Sequence, residues 1–237
     1  MKSRFSSNAK PYVKFFVFYG LLNMAISIMW GAYNNYFPII LQSGNPAFAD
    51  GASVVAGFGL SAFATSLIMS IDNFFATFFL PIFGAWGDRT TKRRELGVIM
   101  GFVCVAAFIS LPLLVSLINP AHSGDTKSLI PLLVLTVAIV FVCMFSDAVG
   151  GQFRSGYQYN MVPKEHQNKM SSFSVLFGGI GFLVMTFAGS ALYHINEGFP
   201  FYIGGAVMLL VIIGFALASP PETEKNRKIE EKRASGE

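Results

Sequence analysis

Charge is what this chain has least of. Asp, Glu, Lys and Arg make up 13% of its 237 residues, against roughly 25% in an ordinary soluble domain. A water-soluble globule needs a charged surface, so soluble enzymes and nucleic-acid modules are excluded at the outset. Cysteine is nearly missing too: Cys104 and Cys143 stand singly in separate apolar stretches, which excludes a disulfide scaffold and makes them small apolar side chains. The three histidines, His122, His166 and His194, have no metal-ligand spacing. There is no HExxH, no glycine-rich phosphate loop and no Ser/His/Asp grouping, so the expectation is neither an enzyme nor an ATP-driven pump, with no metal and no cofactor.

What is present is long apolar sequence. Mean hydropathy is +0.55, and stretches nearly free of charge run over about 12–41, 53–86, 96–118, 129–151, 173–193 and 199–219. Each exceeds the roughly 20 residues that cross a hydrocarbon core at 1.5 Å per residue. The fold class expected is therefore all-α: a polytopic membrane protein with six transmembrane helices in a domain over 1–219, followed by a charged tail over 220–237. The 53–86 stretch is long enough for two short crossings. One long helix, bent near Pro81, keeps the basic residues that follow it on the same side as the others. The first span lacks a cleavage site and is expected to be retained.

Sixteen of the seventeen Lys and Arg fall in alternate connections. They are Lys2, Arg4, Lys10 and Lys14 at the start, Arg89, Lys92, Arg93 and Arg94 after the second span, Arg154, Lys164 and Lys169 after the fourth, and five in the tail. The other connections hold only Lys127. By the positive-inside rule both termini are cytoplasmic, in a multi-pass protein of the cell membrane whose solvent is the lipid bilayer and whose partners include no nucleic acid.

Two carboxylates lie well inside apolar spans, Asp72 and Asp147. An intramembrane carboxylate is costly unless it is protonated, paired or facing water, so each is a functional candidate. Asp72 falls near mid-membrane. Asn23, Ser27 and Trp30 are its expected neighbours if the first two spans pack, and Ser66, Ser70, Asn73 and Thr77 add polar groups around it. No basic residue matches its depth, which favours a titrating or cation-binding role over a fixed salt bridge. Arg154 follows Asp147 by seven residues on nearly the same helical face, marking a candidate ion pair. On the first span, Trp30, Tyr33 and Asn34 begin a run of aromatics and amides ending at Pro38. Flat rings stack on a pyranose and amides bond its hydroxyls, which suits a sugar. An interfacial aromatic belt ended by proline accounts for the same residues.

The run Gly84-Ala85-Trp86-Gly87-Asp88-Arg89-Thr90-Thr91-Lys92-Arg93-Arg94 resembles the loop motif of the major facilitator superfamily, G-x-x-x-D-R-x-G-R-R/K. Gly84, Asp88, Arg89, Lys92 and Arg93 match it, and Thr91 replaces its second glycine. Asp72-Asn73 with Pro81-Ile82-Phe83-Gly84, and Tyr33 to Pro38 with Leu41, are similar to the glycoside-pentoside-hexuronide:cation symporters and the sucrose/proton symporter-like group. Asn160 to Lys164 resembles their D-x-x-P-K loop, with Asn160 for the acid and Gln167 where arginine is common. The resemblance implies one half of a twelve-helix major facilitator fold. The second six helices would come from a separate half or a homodimer. It implies secondary active transport by alternating access, a cation-coupled symport of a sugar or similar small polar solute driven by H⁺ or Na⁺. Asp72 would bind the ion, Asn23, Trp30, Tyr33 and Asn34 would line the solute path, and the Gly84–Arg93 motif would form a cytoplasmic gate. The fifth span has no proline where drug antiporters carry Gly-Pro, which favours symport. The competing expectation is a transport-inactive truncated module or a binding partner of another membrane protein.

Overall fold

The computed structural model describes residues 13–45, 56–90, 92–119 and 122–220, with the side chains of all but 14–15, 72–76 and 88. The Asp72 and Asp88 side chains, and most of the 220–237 tail, therefore lie outside the described residues. Among the described residues seven helices follow one another: α1 (Val13–Gln42), α2 (Ala62–Met69), α3 (Ile71–Arg89), α4 (Arg93–Val115), α5 (Thr126–Met161), α6 (Lys164–Ile195) and α7 (Phe199–Ala218). No strand occurs among the described residues. Five of the helices, α1 and α4 to α7, are long and apolar enough to cross a membrane.

Two expectations are corrected. The 53–86 stretch is not one helix bent at Pro81. Residues 56–61 are non-helical, α2 and α3 meet at Ser70, and α3 runs through Pro81. Serines stand at both ends of α2. Ser61 caps α2 by accepting the Ala64 N–H at 3.2 Å, and the Ser70 hydroxyl donates to the Ser66 carbonyl at 2.7 Å, a back-bond that competes with the helical ladder. The second correction is that residues 152–172 are almost wholly helical rather than a loop. At 36 residues α5 is about 54 Å long, far more than a hydrocarbon core requires. Absence of charge marks where lipid begins and ends, whereas the helix stops only at Val162, which adopts the extended backbone imposed by Pro163.

The order of packing follows from small residues. Lipid is as apolar as leucine, so helices in a bilayer associate by close van der Waals approach rather than by expelling water. α1 lies along α6 and α7, α4 along α5 and α7, α3 along α5, and α2 against α1. On the α1–α6 seam a Cβ added to Gly181 would sit 2.4 Å from the Met24 carbonyl, and one at Gly31 3.1 Å from Met185. Outward faces remain apolar, with Phe63, Val175, Phe187 and Leu217 among the most exposed side chains.

The helices deliver two distinct ends. At the basic end the α3–α4 and α5–α6 turns meet the end of α7. At the opposite end the segment 56–60 closes α1 by donating Phe58 N–H to Ile40 O and Leu60 N–H to Leu41 O, carbonyls with no partner inside the helix. Gly44, Gly59 and Gly124, all at positive φ, pack backbone against backbone there, with no room for a side chain.

Replacing Gly181 by alanine, which meets backbone rather than a movable side chain, is expected to lower unfolding free energy by about 1–3 kcal/mol. Gly179→Ala, with nothing within 4 Å, should stay within about 0.5 kcal/mol of the parent. Denaturant titration of the two variants in the same detergent checks both.

Candidate functional site

A buried cluster of polar side chains forms where α1, α4 and α5 meet. The Asp147 carboxylate accepts the indole N–H of Trp30 at 2.7 Å through Oδ2, and Nη2 of Arg154 at 3.0 Å through Oδ1. Nη1 of Arg154 donates to the Gly97 carbonyl of α4 at 3.2 Å. A seven-residue separation is almost two helical turns, some 10 Å along the axis. Arg154 spans it because helical side chains lean toward the N-terminus, which is where Asp147 lies. Its side chain is 2% exposed and that of Asp147 15%.

Glycine makes this burial possible. A Cβ at Gly150 would stand 2.8 Å from Arg154 Nη1, one at Gly97 2.8 Å from Arg154 Cγ, and one at Gly101 3.5 Å from Nη1. The guanidinium therefore occupies a trough cut by one glycine of α5 and two of α4. Beside it the Cys104 and Cys143 thiols lie 3.7 Å apart across the α4–α5 seam, a juxtaposition that their separate spans did not suggest.

The other candidate residues of α1 divide. Trp30 stands edge-on to Tyr33, ring centroids 5.3 Å apart, and Tyr33 stacks on Phe37, so one aromatic file leads away from Asp147. Asn23 instead donates to the Tyr19 carbonyl of its own helix. Asn34 is exposed, while its neighbour Asn35 reaches Thr186 of α6 at 3.4 Å. The expected grouping of Asp72 with Asn23, Ser27 and Trp30 falls outside the described residues, since the Asp72 side chain is not among them; its helix, α3, lies along α5, and α2 lies against α1. Aromatic side chains form the α3–α5 seam: Phe79 and Phe83 pack edge-on to Phe145, and Trp86 on Phe153.

At the basic end the loop motif splits in a similar way. Arg89 and Lys92 are exposed, and Gly84 has space over it as far as Gln152, 3.8 Å from an added Cβ. Asp88 has no described side chain. The work falls to Arg93 and Arg94 at the start of α4. Arg93 donates from Nε to the Gly87 carbonyl near the end of α3 and lies over Gly156 of α5. Arg94 donates to the Ala216 carbonyl near the end of α7 and pairs with Glu95 at 3.3 Å. Both acceptors belong to last turns, whose carbonyls form the negative end of the helix dipole, and the Gly87 carbonyl accepts the Thr90 N–H as well. Gln167 does the same for α5, donating to the carbonyls of Tyr159 and Val162 at 2.9 and 3.2 Å. A neutral amide thus serves at a position where a cation was expected. Sequence reasoning gave no site role to Arg94 or Gln167 and missed the glycine trough, for which the four-residue spacing of Gly97 and Gly101 is a signal.

The model of the family described as the Major Facilitator Superfamily matches residues 16–236. No curated protein and no solved structure is similar enough to this chain to match it.

Removing one partner of a buried pair strands the other charge. Asp147→Asn is expected to cost about 3–5 kcal/mol of stability, and Asp147→Asn combined with Arg154→Gln distinctly less than the sum of the single losses. A double-mutant cycle on the unfolding free energy reads the coupling directly.

Proposed function

The chain belongs to the major facilitator superfamily, and from that premise we propose that this membrane transporter is a cation-coupled symporter for a sugar or similar small polar solute. It would work by alternating access in the cell membrane with both termini cytoplasmic, and a further set of six helices or a second copy would face this one across the solute path. The observation that carries the reading is the Trp30–Asp147–Arg154 cluster. It joins three helices through charge-assisted bonds in a setting where each bond is strong and each unmade one costly. A solute hydroxyl can replace either donor on Asp147, and the Trp30 ring beside it offers a face for a pyranose.

Asp72 is the proposed carrier of the coupling ion, H⁺ or Na⁺. Its helix packs on α5, the helix that holds Asp147 and Arg154, so a change of charge at Asp72 has a short mechanical route to the solute cluster. Arg93, Arg94 and Gln167 tie helix ends together at the basic face, a latch of the kind alternating access has to open and remake, with Gly84, Asp88, Arg89 and Lys92 in the same motif.

In proteoliposomes with an imposed H⁺ or Na⁺ gradient and a panel of radiolabelled sugars, the parent protein is expected to accumulate at least one sugar. Asp72→Asn should abolish accumulation while leaving sugar exchange, and Asp147→Asn should lose both. Undiminished accumulation by Asp72→Asn would remove that residue from coupling; failure to move any sugar would remove the substrate class.

A further inference from the structure

A cavity of about 400 Å³ opens at the end opposite the basic loops, between the last turns of α1 and α4 and the α6–α7 turn. Pro112, Val115, Ile118, Phe199, Tyr202 and Glu197 are among its lining residues. Its size is that of a small-molecule site: mostly apolar walls and a few polar groups that fix orientation. It is separate from the solute cluster, since Ile40, which also lines it, is ten residues along α1 from Trp30, about 15 Å at helical rise.

We propose that this cavity binds an alkylammonium group, with Glu197 as its counter-ion and Tyr202 and Phe199 as aromatic walls. Glu197 is partly buried, and among the described residues no ion pair involves it. The sequence offers little to neutralise it, because Lys127 is the sole Lys or Arg in the connections at this end. The neighbouring Asn196 is already committed, its Oδ1 accepting the Gly198 N–H at 2.8 Å. Burial pushes the Glu197 carboxyl above the ordinary carboxylate range, as expected of a group that has lost water without gaining a cation. A Cβ at Gly198 would sit 2.8 Å from the Tyr202 ring and 3.0 Å from Pro112, so the ring is held against the turn that carries the carboxylate.

The chemistry selects the ligand class. A calcium ion needs six to eight oxygens and magnesium a near-octahedral shell, and one carboxylate with the Ser116 and Tyr202 hydroxyls and an Asn196 oxygen already engaged by Gly198 provides neither. An alkylated ammonium is a weakly hydrated cation whose methyl or methylene groups suit apolar walls and whose charge is attracted by aromatic faces. Such a group comes either from a lipid headgroup or from a free amine.

The test uses the full chain in nanodiscs of phosphatidylglycerol, which has no ammonium, titrated with tetramethylammonium and read by saturation-transfer NMR. Saturable binding is expected, weakened roughly tenfold or more in Glu197→Gln, retained in Glu197→Asp and weakened in Tyr202→Leu. Repeating the titration in phosphatidylcholine nanodiscs supports the site either way: competition identifies a lipid headgroup as occupant, and unchanged affinity a soluble amine. No saturable binding in phosphatidylglycerol overturns the proposal. So does equal affinity in Glu197→Gln, once that variant is shown to unfold at the parent's temperature.

Discussion

A guanidinium placed among lipid-spanning helices has to find all its partners inside the protein, because no water is there to supply them. That constraint organises the contact of α1, α4 and α5. Arg154 donates one bond to Asp147 on its own helix and one to a backbone carbonyl of α4, and Asp147 accepts the Trp30 N–H of α1 with its second oxygen. Three glycines give the space. The cluster bridges α4, α5 and α1, and the aromatic file from Trp30 to Phe37 starts at it.

The ends of the bundle obey the same rule in a wetter setting. Every helix leaves its last carbonyls unpaired, and at the basic end each relevant set meets a donor from a neighbouring element: Arg93 for α3, Arg94 for α7, Gln167 for α5. At the other end backbone N–H groups of 56–60 close α1, and three glycines let the strand-like segment and the α4–α5 turn come together. Side-chain groups join in there as well: Asn45 donates to the Leu60 carbonyl at 3.0 Å, Thr126 to the Phe58 carbonyl at 2.9 Å, and Ser123 accepts the Gly57 N–H at 3.1 Å.

Between these layers close packing does most of the joining, with the Asn35–Thr186 bond across α1 and α6 beside it. Glycines facing Met24, Met185 and Ile109 allow backbones to approach, and the lipid-facing sides stay apolar. The α6–α7 turn differs, since it carries the Glu197 carboxylate to a cavity wall and among the described residues no ion pair involves it.

Composition and the spacing of charge-free stretches determined that this is a helical membrane protein and roughly where its long helices lie, because transfer into lipid is a sum over neighbouring residues and needs no knowledge of partners. The seven-residue spacing of Asp147 and Arg154 was legible for the same reason: both lie on one helix, and one helix has a known geometry. The loop motif pointed to the major facilitator superfamily, whose model matches most of the chain. Tertiary structure alone decided that α3 lies along α5. It decided too that Trp30, 117 positions away in sequence, bonds Asp147 while Asn23 turns to its own helix. These are choices among competing partners, made by which helix faces which, and hydropathy carries no record of facing.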